Sequence, residues 1–267
     1  MAEQSLSSQS ASIVICGRHP VSEALTLGLP IHAMYVDEAL CNRGDIADLV
    51  TLGQRRGVQI RHVSRSTLDK ITDRQHHQGV ALRIRPPRGI DLQDLLSRLR
   101  YTNEPPLLII ADHLLDPRNL GAIIRSAVAA GAHGLIVPRD RAVPLTTSVY
   151  RSSSGAAIFL PIATVVNLSR AIRTVQTAGI WTVGLDPIAS QNIYDIDLTS
   201  GVCLITGGEG TGLSRLVREH CDHIARIPMG GPIQSLNSGV ATAIALFEAR
   251  RQRQYQHMKD QRPSLDG

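Results

Sequence analysis

Three stretches of this chain set polar residues beside glycines at the ends of apolar runs, where an α/β protein builds ligand sites. The first, residues 112–138, reads DHLLDPRNLGAIIRSAVAAGAHGLIVP. Asp116 and Pro117 supply a cap and a first helical position. Leu120, Ile123, Ile124, Ala127 and Val128 then recur as one buried helical face, and Gly131 ends the helix. Asn119 stands in the entry turn, where its amide can meet backbone or ligand, and Arg125 points away from the centre of the apolar stripe. On pattern alone, a turn asparagine and a solvated helix arginine are the plainer account. The second stretch, residues 204–222, runs LITGGEGTGLSRLVREHCD, with Gly207, Gly208, Gly210 and Gly212 inside six residues. Such glycines let backbone approach a ligand closely. Their spacing fits neither GxGxxG nor GxxxxGK[ST], and Glu209 would repel a pyrophosphate, so a ligand without phosphates suits the loop better. The third, residues 226–254, is RIPMGGPIQSLNSGVATAIALFEARRQRQ. Ser235 fits a helix N-cap, and Asn237 and Ser238 lie in the first turn, where free N–H groups can face a ligand. Leu236, Val240, Ala243, Ile244 and Phe247 are predicted as the buried stripe, and Arg250, Arg251 and Arg253 as a basic end. By itself this is a well-capped helix.

The elements that must position these groups are legible as apolar runs alternating with helical pattern. LLIIA (107–111), GLIVP (134–138), WTVGL (181–185) and VCLIT (202–206) read as buried strands separated by helices, which predicts a mostly parallel sheet. A smaller α/β unit precedes it: IVICG (13–17), a helix near residues 20–27, a strand at 31–36, a helix around 45–56, a strand at 58–63 and a closing GVALRIRPP (79–87). The expected layout is a disordered leader (1–12), a small α/β domain (13–87), a linker (88–104), a larger α/β domain (105–255) and a frayed tail (256–267). With 267 residues, one large domain or two modest ones fit.

No apolar run approaches the ~18 residues of a membrane span, and the start MAEQSLSSQSAS lacks the basic and apolar regions of a signal peptide. A cytoplasmic protein is expected. Cys16, Cys41, Cys203 and Cys221 form no CxxC pair and the histidines show no ligand spacing, which predicts neither a disulfide framework nor a metal site. The net charge is +5, and its distribution says more. Between Arg55 and Arg88 nine basic residues face only Asp69 and Asp73, a net +7 over 34 residues. That stretch could neutralise several phosphates, or be a solvated face in an arginine-biased chain with two lysines. Aromatics at 3% leave little base stacking on Phe, Tyr or Trp.

Taken together and in order, DPRNLGAIIRSA, ITGGEGTGLS and IPMGGPIQSLNSGVATAIALFEARRQR resemble the signature blocks of the SpoU-type RNA ribose 2′-O-methyltransferases of the SPOUT superfamily. The resemblance covers about residues 106–254. Residues 13–86, opening ICGRHPVSEAL, look more loosely like the RNA-binding substrate domain many such enzymes carry. It implies a trefoil-knotted methyltransferase domain, usually a homodimer. It further implies S-adenosyl-L-methionine as methyl donor, no metal, and an RNA ribose 2′-hydroxyl as acceptor, nearest to a guanosine of large-subunit (23S) ribosomal RNA. Carried over by position, the donor pocket would use Thr206, Gly207, Ile227, Met229, Gly230 and Leu236, and the catalytic groups would be Asn119, Arg125, Glu209, Ser235 and Asn237. A guanidinium is a poor base. Arg125 is therefore expected to clamp the target hydroxyl and its phosphate, with Glu209 holding Arg125 or Asn119 in place. His113 is the one motif histidine that could accept a proton, and the sequence does not implicate it. Two departures, SLNSGVA where relatives often have SLNVSVA and Pro232 in the donor loop, remove none of these groups. A transfer-RNA enzyme, an antibiotic-resistance ribosomal enzyme, a silent RNA-binding protein on the same scaffold and, less fittingly, a dinucleotide oxidoreductase are the competing readings.

Overall fold

The computed structural model describes residues 12–260, so residues 1–11 of the expected leader and the last seven residues of the tail lie outside the described part. The chain divides into two compact units, Met1–Arg88 with Ser154–Ile158, and Gly89–Ser153 with Phe159–Gly267.

The first unit contains β1 (Ile13–Cys16), α1 (Arg18–Thr26), β2 (Ile31–Asp37), α2 (Gly44–Arg55), β3 (Ile60–Val63), α3 (Arg65–Ile71) and β4 (Val80–Ile84). The strands pair in the order β1-β4-β2-β3, with β4 antiparallel to both neighbours and β2 parallel to β3. Ile13, Ile15, Met34, Val36, Leu82 and Ile84 are buried, as the strand pattern demands. Ala33, Tyr35, Leu68 and Ala81 form a separate small cluster. The basic stretch is not uniformly available to a partner. Arg56 donates to the carbonyls of Ala24 and Leu25 at the end of α1, and Arg61 and Arg83 both lie over the Tyr35 ring, at 5.9 and 5.6 Å.

In the second unit come α4 (Leu92–Leu99), β5 (Leu107–Asp112), α5 (Pro117–Ala129), β6 (Gly134–Pro138), α6 (Thr147–Ser152), β7 (Ile162–Val165) and α7 (Leu168–Thr177). These are followed by β8 (Trp181–Leu185), β9 (Gln191–Asn192), β10 (Val202–Gly207), α8 (Arg215–His220), β11 (His223–Arg226) and α9 (Ser238–Asp260). Seven strands form one sheet, β7-β6-β5-β10-β8-β11-β9, and every pairing is parallel. A parallel sheet hides both faces, which is why β5, β6 and β10 are fully buried and apolar apart from Asp112 and Thr206 near the carboxyl ends of β5 and β10. The strand order reverses around β5, β10 and β8, and at such a reversal a crevice opens beyond the carboxyl ends of the strands.

Three expectations change. Residues 88–104 are no linker: Ile90 N–H bonds Ile162 O at 3.0 Å, and α4 seats Leu95 and Leu99 in the core with Ile110, Ile136 and Ile172. A Cβ at Gly134 would stand 2.5 Å from Leu95 Cδ1, so the helix lies directly on the sheet backbone. The tail does not begin at 256, because α9 continues to Asp260. Finally, α9 buries Thr242, Ala245, Leu246 and Ala249, whereas Val240 and Phe247 of the predicted stripe are about half exposed. Leu236, Ala243 and Ile244 are half-buried, so the predicted stripe is only partly covered by its own chain.

Candidate active site

The loops after β8, β10 and β11 and the entry to α9 enclose a cavity of about 540 Å³. Its apolar wall includes Leu185, Ile227, Met229 and Leu236, its floor Thr206 and Gly207, and its polar rim Glu209, Ser235, Asn237 and Ser238. The glycine loop is held by backbone contact. A Cβ at Gly207 would lie 2.0 Å from Gly212 O, and one at Gly208 would lie 3.0 Å from His113 O. Gly210 and Gly212 have φ of +80° and +62°, which L side chains adopt poorly. The loop thus turns back on itself, Gly212 N–H reaching Gly208 O at 3.0 Å, and projects Glu209 over the cavity.

The three motifs meet in one hydrogen-bonded chain. Asn237 Nδ2 donates to Asn119 Oδ1 at 2.9 Å and also to the Glu209 carboxylate. Asn237 Oδ1 meanwhile accepts from Gly239 N–H (2.9 Å) and Val240 N–H (3.3 Å). Asn237, not Ser235, is therefore the N-cap of α9, and its amide is oriented by the helix it begins. Asn119, in the first turn of α5, is buried with 8% exposure, which removes the plain solvated-turn account of it. Gly239 makes the approach possible: a Cβ there would already touch Ala122 of α5 at 3.1 Å.

Of the eleven residues singled out by the sequence, Thr206, Gly207, Glu209, Ile227, Met229, Ser235, Leu236 and Asn237 line the cavity. Asn119 joins them through Asn237. Gly230 follows Met229 outside the lining, and Arg125 lies on the exposed face of α5, also outside it. Residues not foreseen include Asp112 and Asp186, while Ser238, placed by the sequence in the first turn of the last helix, also lines the cavity. Asp112 is fully buried at the end of β5 beside Gly207. Its Oδ2 accepts the Ser214 N–H at 2.7 Å, and its Oδ1 pairs with His113 Nδ1, whose backbone has φ +53°. Asp112 thereby ties β5 to the chain entering α8. Asp186 lines the cavity after β8, but its carboxylate is already engaged by Arg218 and by Ile188 N–H. Both aspartates directly follow the apolar core of a parallel strand, a signal the sequence carried.

A methyl donor such as S-adenosylmethionine needs an apolar slot for its ring, polar contacts and no phosphate site. The residues fit that demand. The Ser238 hydroxyl is a buried cavity-lining group with no partner among the described residues, and the Gly207–Gly212 cradle offers backbone where a side chain could not stand. Glu209 suits a cationic ligand and disfavours a pyrophosphate. Among the described residues no group of three or more His, Cys, Asp or Glu could hold a metal ion, and no helix is long and apolar enough to cross a membrane.

A parallel α/β domain with a cavity suited to a phosphate-free ligand, preceded by a basic α/β unit, is the arrangement a nucleic-acid-modifying transferase requires. Residues 106–247 match the SpoU rRNA Methylase family, and residues 14–89 match the RNA 2′-O ribose methyltransferase substrate binding family. The chain is 40% identical over 240 residues to an uncharacterized tRNA/rRNA methyltransferase of Mycolicibacterium vanbaalenii, covering 90% of this chain and 76% of that one. Identity to the corresponding Mycobacterium leprae protein is 41% over 242 residues, covering 90% and 77%. Among solved structures, the AdoMet-bound rRNA methyltransferase from Sinorhizobium meliloti superposes with a TM-score of 0.71 at 31% identity, covering 90% of this chain and 87% of that one. The SpoU methyltransferase AviRb from Streptomyces viridochromogenes, in complex with AdoMet, gives 0.71 at 29% identity, covering 91% of each. The chain belongs to the SpoU rRNA methylase family and is an RNA methyltransferase.

Proposed function

We propose that this enzyme transfers a methyl group from S-adenosylmethionine to the ribose 2′-hydroxyl of a guanosine in large-subunit ribosomal RNA. The observation that carries the reading is the chain Asn119–Asn237–Glu209, drawn from three separate motifs and closed over a cavity shaped for a phosphate-free ligand. When bound, the donor supplies an already electrophilic methyl on its sulfonium. The protein's work is then mainly alignment. As the O–CH3 bond forms and the S–CH3 bond breaks, the 2′-hydroxyl, a weak nucleophile while protonated, gives up its proton to solvent water. Leu185, Ile227, Met229 and Leu236 hold the adenine and exclude water. Thr206, Gly207 and Ser238 fix the donor's polar groups, and Glu209 complements its positive charge. Asn119 and Asn237 orient the incoming ribose, and Ser235 faces it from the rim. Arg125, outside the cavity, binds the phosphate beside the target and stabilises charge developing on the 2′-oxygen.

The working form is a homodimer. The exposed stripe on α9, Val240 and Phe247, is an apolar face without cover in a single chain and fits a second copy of itself. The chain of the second unit threads as a trefoil knot, which gathers the β10 loop and the α9 entry at one place.

The deciding experiment combines the enzyme, labelled donor and ribosomal RNA from a strain deleted for its gene, followed by digestion to nucleosides. Labelled 2′-O-methylguanosine from one site is expected. A base-methylated nucleoside, or transfer to transfer RNA alone, would contradict the assignment. Arg125→Ala should lower turnover at saturating RNA by about 100-fold, in the range of a lost charge-stabilising donor.

A further inference from the structure

The first unit holds a second cavity, of about 710 Å³, that the methyl-transfer site does not use. It lies between the starts of α1 and α2, the end of β2, and α3 with the loop that follows it. Arg18, Arg43, Arg65 and Arg74 line it, with Asp37, Asp45 and Asp69 among them. Two of those carboxylates are already engaged. Asp45 pairs with Arg18 at 2.5 Å, and Asp69 Oδ1 bonds His77 Nε2 at 3.0 Å. His77 is buried and its Nδ1 accepts the Gly79 N–H at 3.0 Å, so Nε2 carries the proton and donates to Asp69. The guanidinium groups of Arg43, Arg65 and Arg74 are exposed and have no ion pair or hydrogen bond among the described residues. What remains is three uncommitted cations around the buried Asp37.

Two further features mark this as a built site. Asp37 is only 3% exposed and spends one carboxylate oxygen on Ala39 N–H (3.1 Å). Its other oxygen has no protein partner among the described residues and is not fully enclosed, so it opens toward the cavity. The rim is also conformationally costly. Arg74 and Gln78 of the lining have φ of +59° and +51°, and Asp73 just before them +54°, three of the six non-glycine residues in that region among those described. Left-handed backbone at non-glycine positions costs about 1–2 kcal/mol each and persists where surrounding structure demands it.

We propose that this cavity takes one unstacked nucleotide of single-stranded RNA, distinct from the nucleotide that is methylated. Arg43, Arg65 and Arg74 hold its phosphates, and His76 and the arginine planes offer stacking surfaces where the chain has few aromatics. The free oxygen of Asp37, with two lone pairs, accepts from both the imino and the amino N–H of guanine, where uracil offers only its imino N–H. The volume lies within the roughly 300–1,000 Å³ of small-ligand sites. The inference rests on the reading of the chain as an RNA 2′-O-methyltransferase and adds a specificity site to it.

The test uses the full chain, a fluorescein-labelled single-stranded RNA of alternating guanosine and adenosine, and its all-uridine counterpart. Anisotropy measured against salt gives affinity and its electrostatic slope. Arg65→Ala/Arg74→Ala should weaken binding by about ten-fold or more and lower the salt slope by about 1.4, the value for two phosphates on a single strand. Both residues are exposed, and unchanged melting will show that the fold is intact. Asp37→Asn keeps the bond to Ala39 but leaves no acceptor, so the preference for the guanosine-containing strand should disappear. Calorimetric affinity for S-adenosylhomocysteine should stay within two-fold in all variants. RNA affinity and salt slope unchanged in the double variant would overturn the proposal, as would crosslinks from a 4-thiouridine-substituted strand that all map outside residues 14–89. If wild-type protein neither binds S-adenosylhomocysteine nor methylates RNA, the functional reading fails instead.

Discussion

Gly207→Ala is the sharpest perturbation of the donor site, because the cost is steric and calculable. The added Cβ would sit 2.0 Å from Gly212 O, 2.1 Å from its carbonyl carbon and 2.5 Å from Leu213 N. Comfortable separations are about 3.5 Å, so backbone must retreat by more than 1 Å. The obstacle is main chain at both ends, pinned by the Gly208–Gly212 bridge and by Ser214 N–H on Asp112, and no side chain can rotate away. Overpacking of this kind costs about 3 kcal/mol. In a domain of this size that is a fall in melting temperature of roughly 6–12 °C. Retreat of the loop also carries Glu209 off Asn237, so S-adenosylhomocysteine affinity by calorimetry should drop at least about ten-fold, equivalent to some 1.4 kcal/mol. Gly210→Ala is the control: its Cβ meets nothing within 4 Å, and only its φ of +80° penalises a side chain, by about 1–2 kcal/mol. Melting and affinity unchanged in Gly207→Ala, or matched by Gly210→Ala, would refute the cradle.

Further outcomes follow from the same contacts. Asn237→Ala removes both the α9 cap and the link to Asn119, and should cost about 1–2 kcal/mol in urea unfolding as well as activity. Asn237→Asp keeps the cap but loses the donor and faces Glu209, so turnover should collapse while unfolding shifts by less than about 1 kcal/mol; equal loss of both would show that the cap is the whole effect. Burial pushes the Asp222 carboxyl up, but bonds from Thr182 Oγ1 (2.7 Å), Thr182 N–H (2.8 Å) and Gln176 (3.0 Å) outweigh it and bring it below the ordinary value. Its stabilisation is therefore present above the usual carboxylate pKa and lost as pH falls through the lowered one. Asp222→Asn should destabilise at neutral pH and flatten that acid dependence, which urea midpoints across acid pH will check. Burial pushes the Cys221 thiol up to about 12 and Cys203 well above the ordinary thiol value. At pH 8 the Cys221 thiolate fraction is then about one in ten thousand, and neither cysteine should react with a disulfide reagent until the protein unfolds.

The parallel sheet was legible because β5, β6, β8 and β10 are short apolar runs bounded by turn residues, and burial on two faces leaves no other use for them. Their order was not, since sequence neighbours need not pair: β10 inserts between β5 and β8 by contacts far along the chain. The stretch 88–104 reads as a linker because of its proline-rich flanks, yet eight residues suffice for α4 to seat two leucines in the core. The α9 stripe was expected to be buried and is only partly so, with Val240 and Phe247 about half exposed, because helical period gives a face without saying how deeply it packs. At the site, eight of the eleven candidates line one cavity, since glycine spacing and helix starts are local. The roles of Asn237 as cap and link, and of the buried Asp112, depend on strands brought together at a distance. Ser238 and Gly239, which read as a minor departure from the family pattern, turn out to supply an open hydroxyl and the close α5–α9 approach.

The central claim is that the cavity bounded by Thr206, Gly207, Met229 and Leu236 receives the methyl donor with its sulfur turned toward Asn119 and Asn237. A crystal structure of the chain with S-adenosylhomocysteine tests it most directly. The account predicts the adenine between Ile227 and Leu236 and a hydrogen bond to Ser238 Oγ or to loop backbone near Gly207. Density for the ligand at another place, or an empty cavity at saturating ligand, would contradict it.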